Sequence, residues 1–151
     1  MKRYRIVKKE NNMLNGKELM IGDYAIVAND SHPQVVAVVE EIYMDGEEMN
    51  MRFGNEGFDV IANEDISGVA LSKMFFLDNW FKKIEGKTAF TRLYNSDIDL
   101  EVVIKHGNYP TYKINGIEIK YVHEFQHLMR LLGFSRYANN LNVEIYLEEE
   151  R

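Results

Sequence analysis

Apolar and polar positions alternate two by two along most of this chain and change to a helical period in two stretches. In the first part, Leu19-Met20-Ile21-Gly22-Asp23-Tyr24-Ala25-Ile26-Val27 carries a Gly-Asp pair into an alternating strand. A loop over Asn29-Asp30-Ser31-His32-Pro33 leads to the β-branched run Val35-Val36-Ala37-Val38-Val39, which continues to Tyr43. Asp45-Gly46 is a hairpin signal, and Met49 to Phe53 is its return strand. A turn at Gly54-Asn55-Glu56-Gly57, a strand at Phe58-Asp59-Val60-Ile61 and another at Ile66-Ser67-Gly68-Val69 complete the set. Five short strands joined by tight turns predict a small SH3-like β-barrel over residues 15–71, behind a basic segment at 1–14.

Ser72 has the chemistry of a helix N-cap, followed by Met74, Phe75, Phe76 and Leu77, with the stop near Asn79-Trp80. Strands follow at Phe81–Ile84, Ala89–Tyr94 and Leu100–Lys105, then at Tyr112–Ile114 and Ile117–Ile119 around Asn115-Gly116, a type I′ hairpin signal. A second helix is expected from Val122 to Leu132, ending at Gly133, with Phe134 opening a short helix or turn and a strand at Val143–Leu147. Residues 72–151 therefore read as an α+β subdomain, an antiparallel sheet packed with one or two helices, in a mainly β protein.

Charge changes this picture at one end. Of the first nine residues five are cationic (Lys2, Arg3, Arg5, Lys8, Lys9), so a net charge of −6 leaves −11 on the rest. An acidic body repels phosphate backbones and argues against nucleic acid as a partner; a nucleic-acid accessory factor using the basic arm is kept as an alternative. The 151 residues, 46% apolar and 28% charged, suffice for one ordinary domain or two small packed ones. The absence of cysteine rules out disulfides and thiolate metal sites and fits a reducing compartment. No secretory signal and no run of the ~18 apolar residues of a membrane span is present, so a soluble cytoplasmic protein is expected.

One string carries candidate chemistry. His123-Glu124-Phe125-Gln126-His127 matches H-E-x-x-H, in which two imidazoles one helical turn apart grip Zn²⁺ and the Glu activates bound water. A catalytic site needs a third protein ligand. The extended motif fails, with Arg130 at its Gly position and Gly133 at its third His, and Glu144 and Glu148 to Glu150 are the acidic candidates left. The helical wheel puts Tyr121, Val122, Phe125, Leu128, Met129 and Leu132 on one face. His123, His127 and Arg130 fall nearly opposite, so the expectation is an amphipathic helix with two solvent-side histidines and no cofactor. A zinc metallopeptidase using His123, Glu124 and His127 stands as an alternative.

Three segments carry a resemblance. They are Lys17 to Tyr24; Ile66 to Ser72 with Asn79-Trp80-Phe81; and Lys120 to Leu128. In this order the chain resembles a family of small proteins from gut Bacteroidetes and their prophages or mobile elements. Its members read K-E-L-R-I-G-N-x-V, then I-x-P-I-P-L-T-x-E-I-L-x-x-N-G-F, then K-Y-V-H-x-L-Q-N or Y-V-H-E-L-Q-H. The resemblance covers residues 15–135. That family has no assigned activity, so the resemblance implies no catalytic residue, and it accepts Gln at the position of Glu124 and Asn at that of His127. This chain departs from it at Gly68-Val69-Ala70-Leu71-Ser72 and at Trp80, where the family has Gly. A positive φ there would carry a steric cost for Trp. Trp80 is read either as an exposed binding anchor or, as the favoured expectation, as a buried joint between subdomains.

The remaining candidates are weaker. His106 is assigned to turn polarity, Asp97 and Asp99 to an exposed strand end, and Asp45-Gly46-Glu47-Glu48 lacks the ligand spacing of a calcium loop. Taken together, the residues and the resemblance lead to a non-enzymatic binding or accessory protein of phage or mobile-element origin. Its partner is a protein or a second copy through exposed strand edges, and neither nucleic acid nor membrane is expected.

Overall fold

The structure is a computed structural model and describes residues 4–5, 18–29, 32–54, 66–144 and 148–149. It is mainly β, with two antiparallel sheets, one of them a curled half-barrel, and helices packed on sheet. The chain divides into two compact units, Met1–Ala70 with Val143–Arg151, and Leu71–Asn142.

The first unit contains β1 (Tyr4–Arg5), β2 (Tyr24–Asn29), β3 (His32–Asp45), β4 (Glu48–Phe53) and β5 (Ile66–Ser67), with β4-β3-β2-β5 forming one sheet. Its organising element is β3, which is longer than the expected Val35–Tyr43. The first half pairs with β2 and the second with β4, with an irregular register at 39–41 where the partner changes. A bulge adds twist and bends a strand, which curls the sheet. Ala25, Ile26, Val27, Ala37, Val39, Met51, Phe53 and Ile66 are buried, with Ile26 on the opposite face from Ala25 and Val27. The Gly-Asp pair closes a turn onto this bend. The Asp23 carboxylate accepts from Met20 N–H (2.8 Å), and Gly22 N–H donates to the Val39 carbonyl (2.8 Å).

Two local expectations shift here. Asn29 and His32 already pair across the expected loop. The β3–β4 turn is Gly46-Glu47, with Gly46 at φ +65°, rather than Asp45-Gly46, because Asp45 is itself paired with Glu48. The expected strand at Phe58–Ile61 lies outside the described residues.

The second unit runs α1 (Lys73–Asp78), β6 (Lys82–Gly86), β7 (Phe90–Asn95), β8 (Leu100–Lys105), β9 (Thr111–Ile114), β10 (Ile117–Ile119), α2 (Val122–Leu131) and α3 (Ser135–Ala138). Strands β6 to β10 form a meander of consecutive neighbours, β10-β9-β8-β7-β6. Its local signals act as the sequence indicates. Ser72 Oγ accepts from Phe75 N–H (3.0 Å) and caps α1. Asn115 (φ +52°) and Gly116 (φ +79°) take the left-handed conformations of a type I′ turn. After α2, Gly133 at φ +92° allows Gly133 N–H to reach the Arg130 carbonyl and Phe134 N–H the Met129 carbonyl. That is a Schellman ending.

The core of this unit is aromatic. Phe75, Phe76, Phe81 and Phe125 are buried and meet edge to face, with Phe75–Phe125 at 5.6 Å and Phe76–Phe125 at 5.5 Å. Phe76 also meets Tyr112 of β9 at 5.9 Å, which seats α1 on the sheet. Edge-to-face geometry adds about 0.5–1.5 kcal/mol per pair to the larger gain from burial. β6 begins one residue after Phe81, which leaves the strand register to enter this cluster.

Asn79, fully buried at the end of α1, holds the unit's irregular segments together. Its Nδ2 donates to the carbonyls of Phe75 (2.7 Å) and Asn142 (2.8 Å), and its Oδ1 accepts from Asn142 N–H (2.7 Å). Its own carbonyl accepts from the Tyr137 hydroxyl of α3 (2.8 Å) and from Asn95 Nδ2 at the end of β7 (3.4 Å). The C-terminal expectations change accordingly. Residues 143–151, expected in the second part, belong to the first unit, where β11 (Glu148–Glu149) pairs with β1, Tyr4 opposite Glu149. Val143 and Glu144 are irregular, and 145–147 lie outside the described residues. Among the described residues no helix is long and apolar enough to cross a membrane.

Asn79→Ala would strand several buried polar groups at once and is expected to lower stability by about 2–4 kcal/mol in urea unfolding. Asn142→Ala keeps the backbone bonds to Asn79, loses only a side-chain bond to the Asp78 carbonyl, and is expected to cost less than about 1 kcal/mol.

Candidate functional site

The H-E-x-x-H string forms the first turns of α2, and its residues do structural work there. Helix N-termini leave N–H groups without intrahelical partners. Here Glu124, third residue of the helix, turns its Oε1 back to accept from Lys120 N–H (2.9 Å) and Tyr121 N–H (3.0 Å). This is the Glu half of a capping box, and a carboxylate there also suits the positive end of the helix dipole. A general base in a zinc site must aim its carboxylate at metal-bound water; this one is aimed at the chain preceding the helix.

The two histidines part company. The expected solvent-side position of His123 is corrected: it is 2% exposed. Its ring stacks on Tyr121 (5.5 Å between centroids, 12° between planes) and meets His127 edge-on (5.7 Å, 72°). Leu132, expected on the apolar face, is 41% exposed, while Gln126 is fully buried and donates from Nε2 to the Ala138 carbonyl (3.0 Å). The helix is covered on more than one side, since α3 folds back on it after the Schellman turn. Arg130 reaches across the same junction to Asn139 Oδ1 (3.1 Å). His123 and His127 would supply two of the four positions zinc requires. Among the described residues no group of three or more His, Cys, Asp or Glu is gathered to hold a metal. Glu144 is exposed in an irregular segment, and Glu150 lies outside the described residues.

The other candidates separate as well. His106 Nε2 bonds Thr91 Oγ1 (2.6 Å) across the β7–β8 pair, a structural contact at a strand end. Asp97 and Asp99 lie in the turn after β7 rather than on a strand. Asn95 Oδ1 accepts from the Asp97 (2.9 Å) and Ile98 (3.4 Å) amides, and Asp99, at φ +52°, accepts from the Tyr94 hydroxyl (2.5 Å). Of the basic arm, Lys2, Arg3, Lys8 and Lys9 lie outside the described residues, and Arg5 is placed by its backbone in β1.

Trp80 is the residue that stands out. Its φ is +70°, in the region that favours glycine and costs other residues about 1–2 kcal/mol. The favoured expectation of burial is corrected, since Trp80 is 52% exposed. The indole lies at 6.0 Å and 57° to the ring of Tyr137, which in turn meets Phe125 at 6.1 Å. Asn79, immediately before, is immobilised by the bonds described above. Burial holds the Tyr137 hydroxyl well above the usual phenol range, with a smaller lowering from Asn95 and a raising from the Asp97 charge. The sequence signal for this corner was the single tryptophan directly after Asn79. The partners of Asn79 carried no signal, because they come from distant segments.

Compared with known proteins, the chain matches no protein-family model, no curated protein and no solved structure.

Trp80→Gly removes the left-handed strain and the contact with Tyr137 together. These oppose each other at about 1 kcal/mol apiece, so folding stability in urea is expected to stay within about 1 kcal/mol of the parent. A raised folded-state pKa on Tyr137 leaves stability unaffected while the phenol is neutral in both states. Stability then falls as pH rises past about 10, where only the unfolded phenol ionises. Alkaline urea titrations are expected to show this decline, shallower in Tyr137→Phe.

Proposed function

We propose that this chain is a non-enzymatic binding or accessory module of phage or mobile-element origin, acting in the cytoplasm, and that Trp80 is its contact residue. The origin rests on the resemblance of the three motif segments. The mode of action rests on one observation, that a half-exposed tryptophan is kept at φ +70° beside a buried, fully bonded asparagine. Backbone strain persists only where surrounding structure enforces it, and it gathers at ligand clamps and active sites. Glycine would leave the fold about as stable, so folding alone does not call for an indole at this position. An exposed aromatic anchor on a rigid support is the usual centre of a protein contact. The capping role of Glu124 supports the same reading, because it accounts for the one catalytic-looking string as architecture.

The test sets capping against catalysis. Glu124→Ala is expected to cost about 1 kcal/mol and Glu124→Gln less, since Gln also serves in a capping box. Purified protein is expected to hold no stoichiometric zinc. One equivalent of zinc, lost in His127→Ala, together with a peptidase activity lost in Glu124→Gln, would replace this reading with the metallopeptidase.

A further inference from the structure

The β3–β4 hairpin leaves the rest of its sheet after the bend at 39–41. β2 is paired with β3 as far as Val38, and beyond the bend β3 is paired with β4. Among the described residues, 41–52 therefore form a two-stranded ribbon. Side chains alternate between its faces. One face runs on from the buried pair Val39 and Phe53, through Ile42 opposite Met51, to Met44 opposite Met49. Exposure rises along it, from buried Met51 through half-buried Ile42 and Met49 to Met44 at 60%. The other face carries Glu41 opposite Arg52 and Tyr43 opposite Asn50. A two-stranded hairpin is marginal by itself in water, and the part of an apolar stripe that stays open to solvent adds nothing to its folding.

The ribbon's charge is one-sided. Between His32 and Gly54 the sequence has five carboxylates (Glu40, Glu41, Asp45, Glu47 and Glu48) and one cation, Arg52. Arg52 is held by Glu41 (3.2 Å) and Glu40 (3.9 Å). The turn sequence Asp45-Gly46-Glu47-Glu48 has no cation of its own, and Glu47 is exposed. The unit that holds the ribbon has eight Lys and Arg against 17 Asp and Glu. Two ribbons of like charge repel, which favours a cationic occupant over a second copy.

We infer that the Ile42–Met44–Met49 face of the β3–β4 ribbon docks a basic amphipathic helix of a partner protein. The helix lays its apolar stripe on these side chains and turns its Lys and Arg flanks to the carboxylates. The strands of a ribbon lie about 5 Å apart, so both edges border the apolar face, and long cationic side chains reach round such edges. Met44, Met49 and Met51 are three of the chain's eight methionines. Their unbranched thioether side chains adapt to differently shaped apolar surfaces. This face belongs to the first unit and does not depend on Trp80, which lies in the second.

The probe is a helix-forming peptide of about 15 residues, with Leu on one face and Lys on the other, and a matched peptide in which Glu replaces Lys. Binding to the full chain is read from isotope-labelled methionine methyl resonances and from the anisotropy of a labelled peptide. The Lys peptide is expected to bind saturably, with the largest shifts at Met44 and Met49, and the Glu peptide at least about tenfold more weakly. Met44→Ser, at an exposed position that leaves the urea midpoint unchanged, is expected to weaken binding about tenfold. Glu47→Gln is expected to weaken it about twofold. Leu131→Ser removes an equally exposed apolar side chain from α2, and Glu118→Gln a carboxylate from β10; both are expected to leave binding unchanged. Equal binding of the two peptides, or no binding of either, would overturn the assignment. So would weakening by Leu131→Ser to the extent of Met44→Ser, or saturation without shifts at Met44 and Met49. Shifts of those methyls on raising the protein concentration alone would give the face to a second copy and overturn it too.

Discussion

A single buried amide side chain organises the irregular half of the second unit. Asn79 occupies the point where α1 stops, where the segment after α3 passes and where the β7 turn and α3 both arrive. Each of those segments has backbone groups that regular structure leaves without partners, in a buried to part-buried setting. One side chain with two donors and a two-lone-pair acceptor, backed by its own carbonyl, meets that demand. In a low-dielectric setting such a network is strong when complete and costly when broken. The conformation of the next residue follows, because fixing Asn79 on both sides dictates the direction of the chain at Trp80. The exposed, left-handed indole is thus a consequence of interior hydrogen bonding, and keeping a tryptophan there is a matter of surface chemistry.

The same logic separates architecture from chemistry in α2. The cap position of α2 holds Tyr121 in place of the usual Ser, Thr, Asp or Asn. Glu124 supplies the acceptor instead. His123 then fills space against Tyr121, and Gln126 fastens α3 by its backbone. A string that resembles a metal-binding motif is accounted for residue by residue as the start of a helix enclosed on several sides.

Much of this was legible in the chain, and the divide is physical. Ser72, Asn115-Gly116 and Gly133 work through contacts a few residues away, so their roles could be read from local chemistry. Alternation located the strands, including the run that became β3, but not its bend, which depends on which neighbour each half pairs with. The helical wheel placed Phe125 and Met129 in the core correctly. It misplaced His123, which is covered by Tyr121 and meets His127, and Leu132, which is the C-cap just past the end of the helix. Asp97 and Asp99 share the spacing of strand neighbours, yet Asn95 captures two following amides and makes a turn. The Asn79–Asn142 bonds span 63 positions, and nothing near either residue announces them.

Native-state hydrogen exchange at the Asn142 amide measures the central interaction most directly. Asn142 is exposed and lies in no helix or strand, so an ordinary loop amide at that position would exchange rapidly. If Asn79 Oδ1 holds it as described, its protection should match that of the central β7–β8 amides, rising to the global unfolding free energy. Exchange at the rate of a solvent-exposed loop, with the β7–β8 amides still protected, would contradict the account.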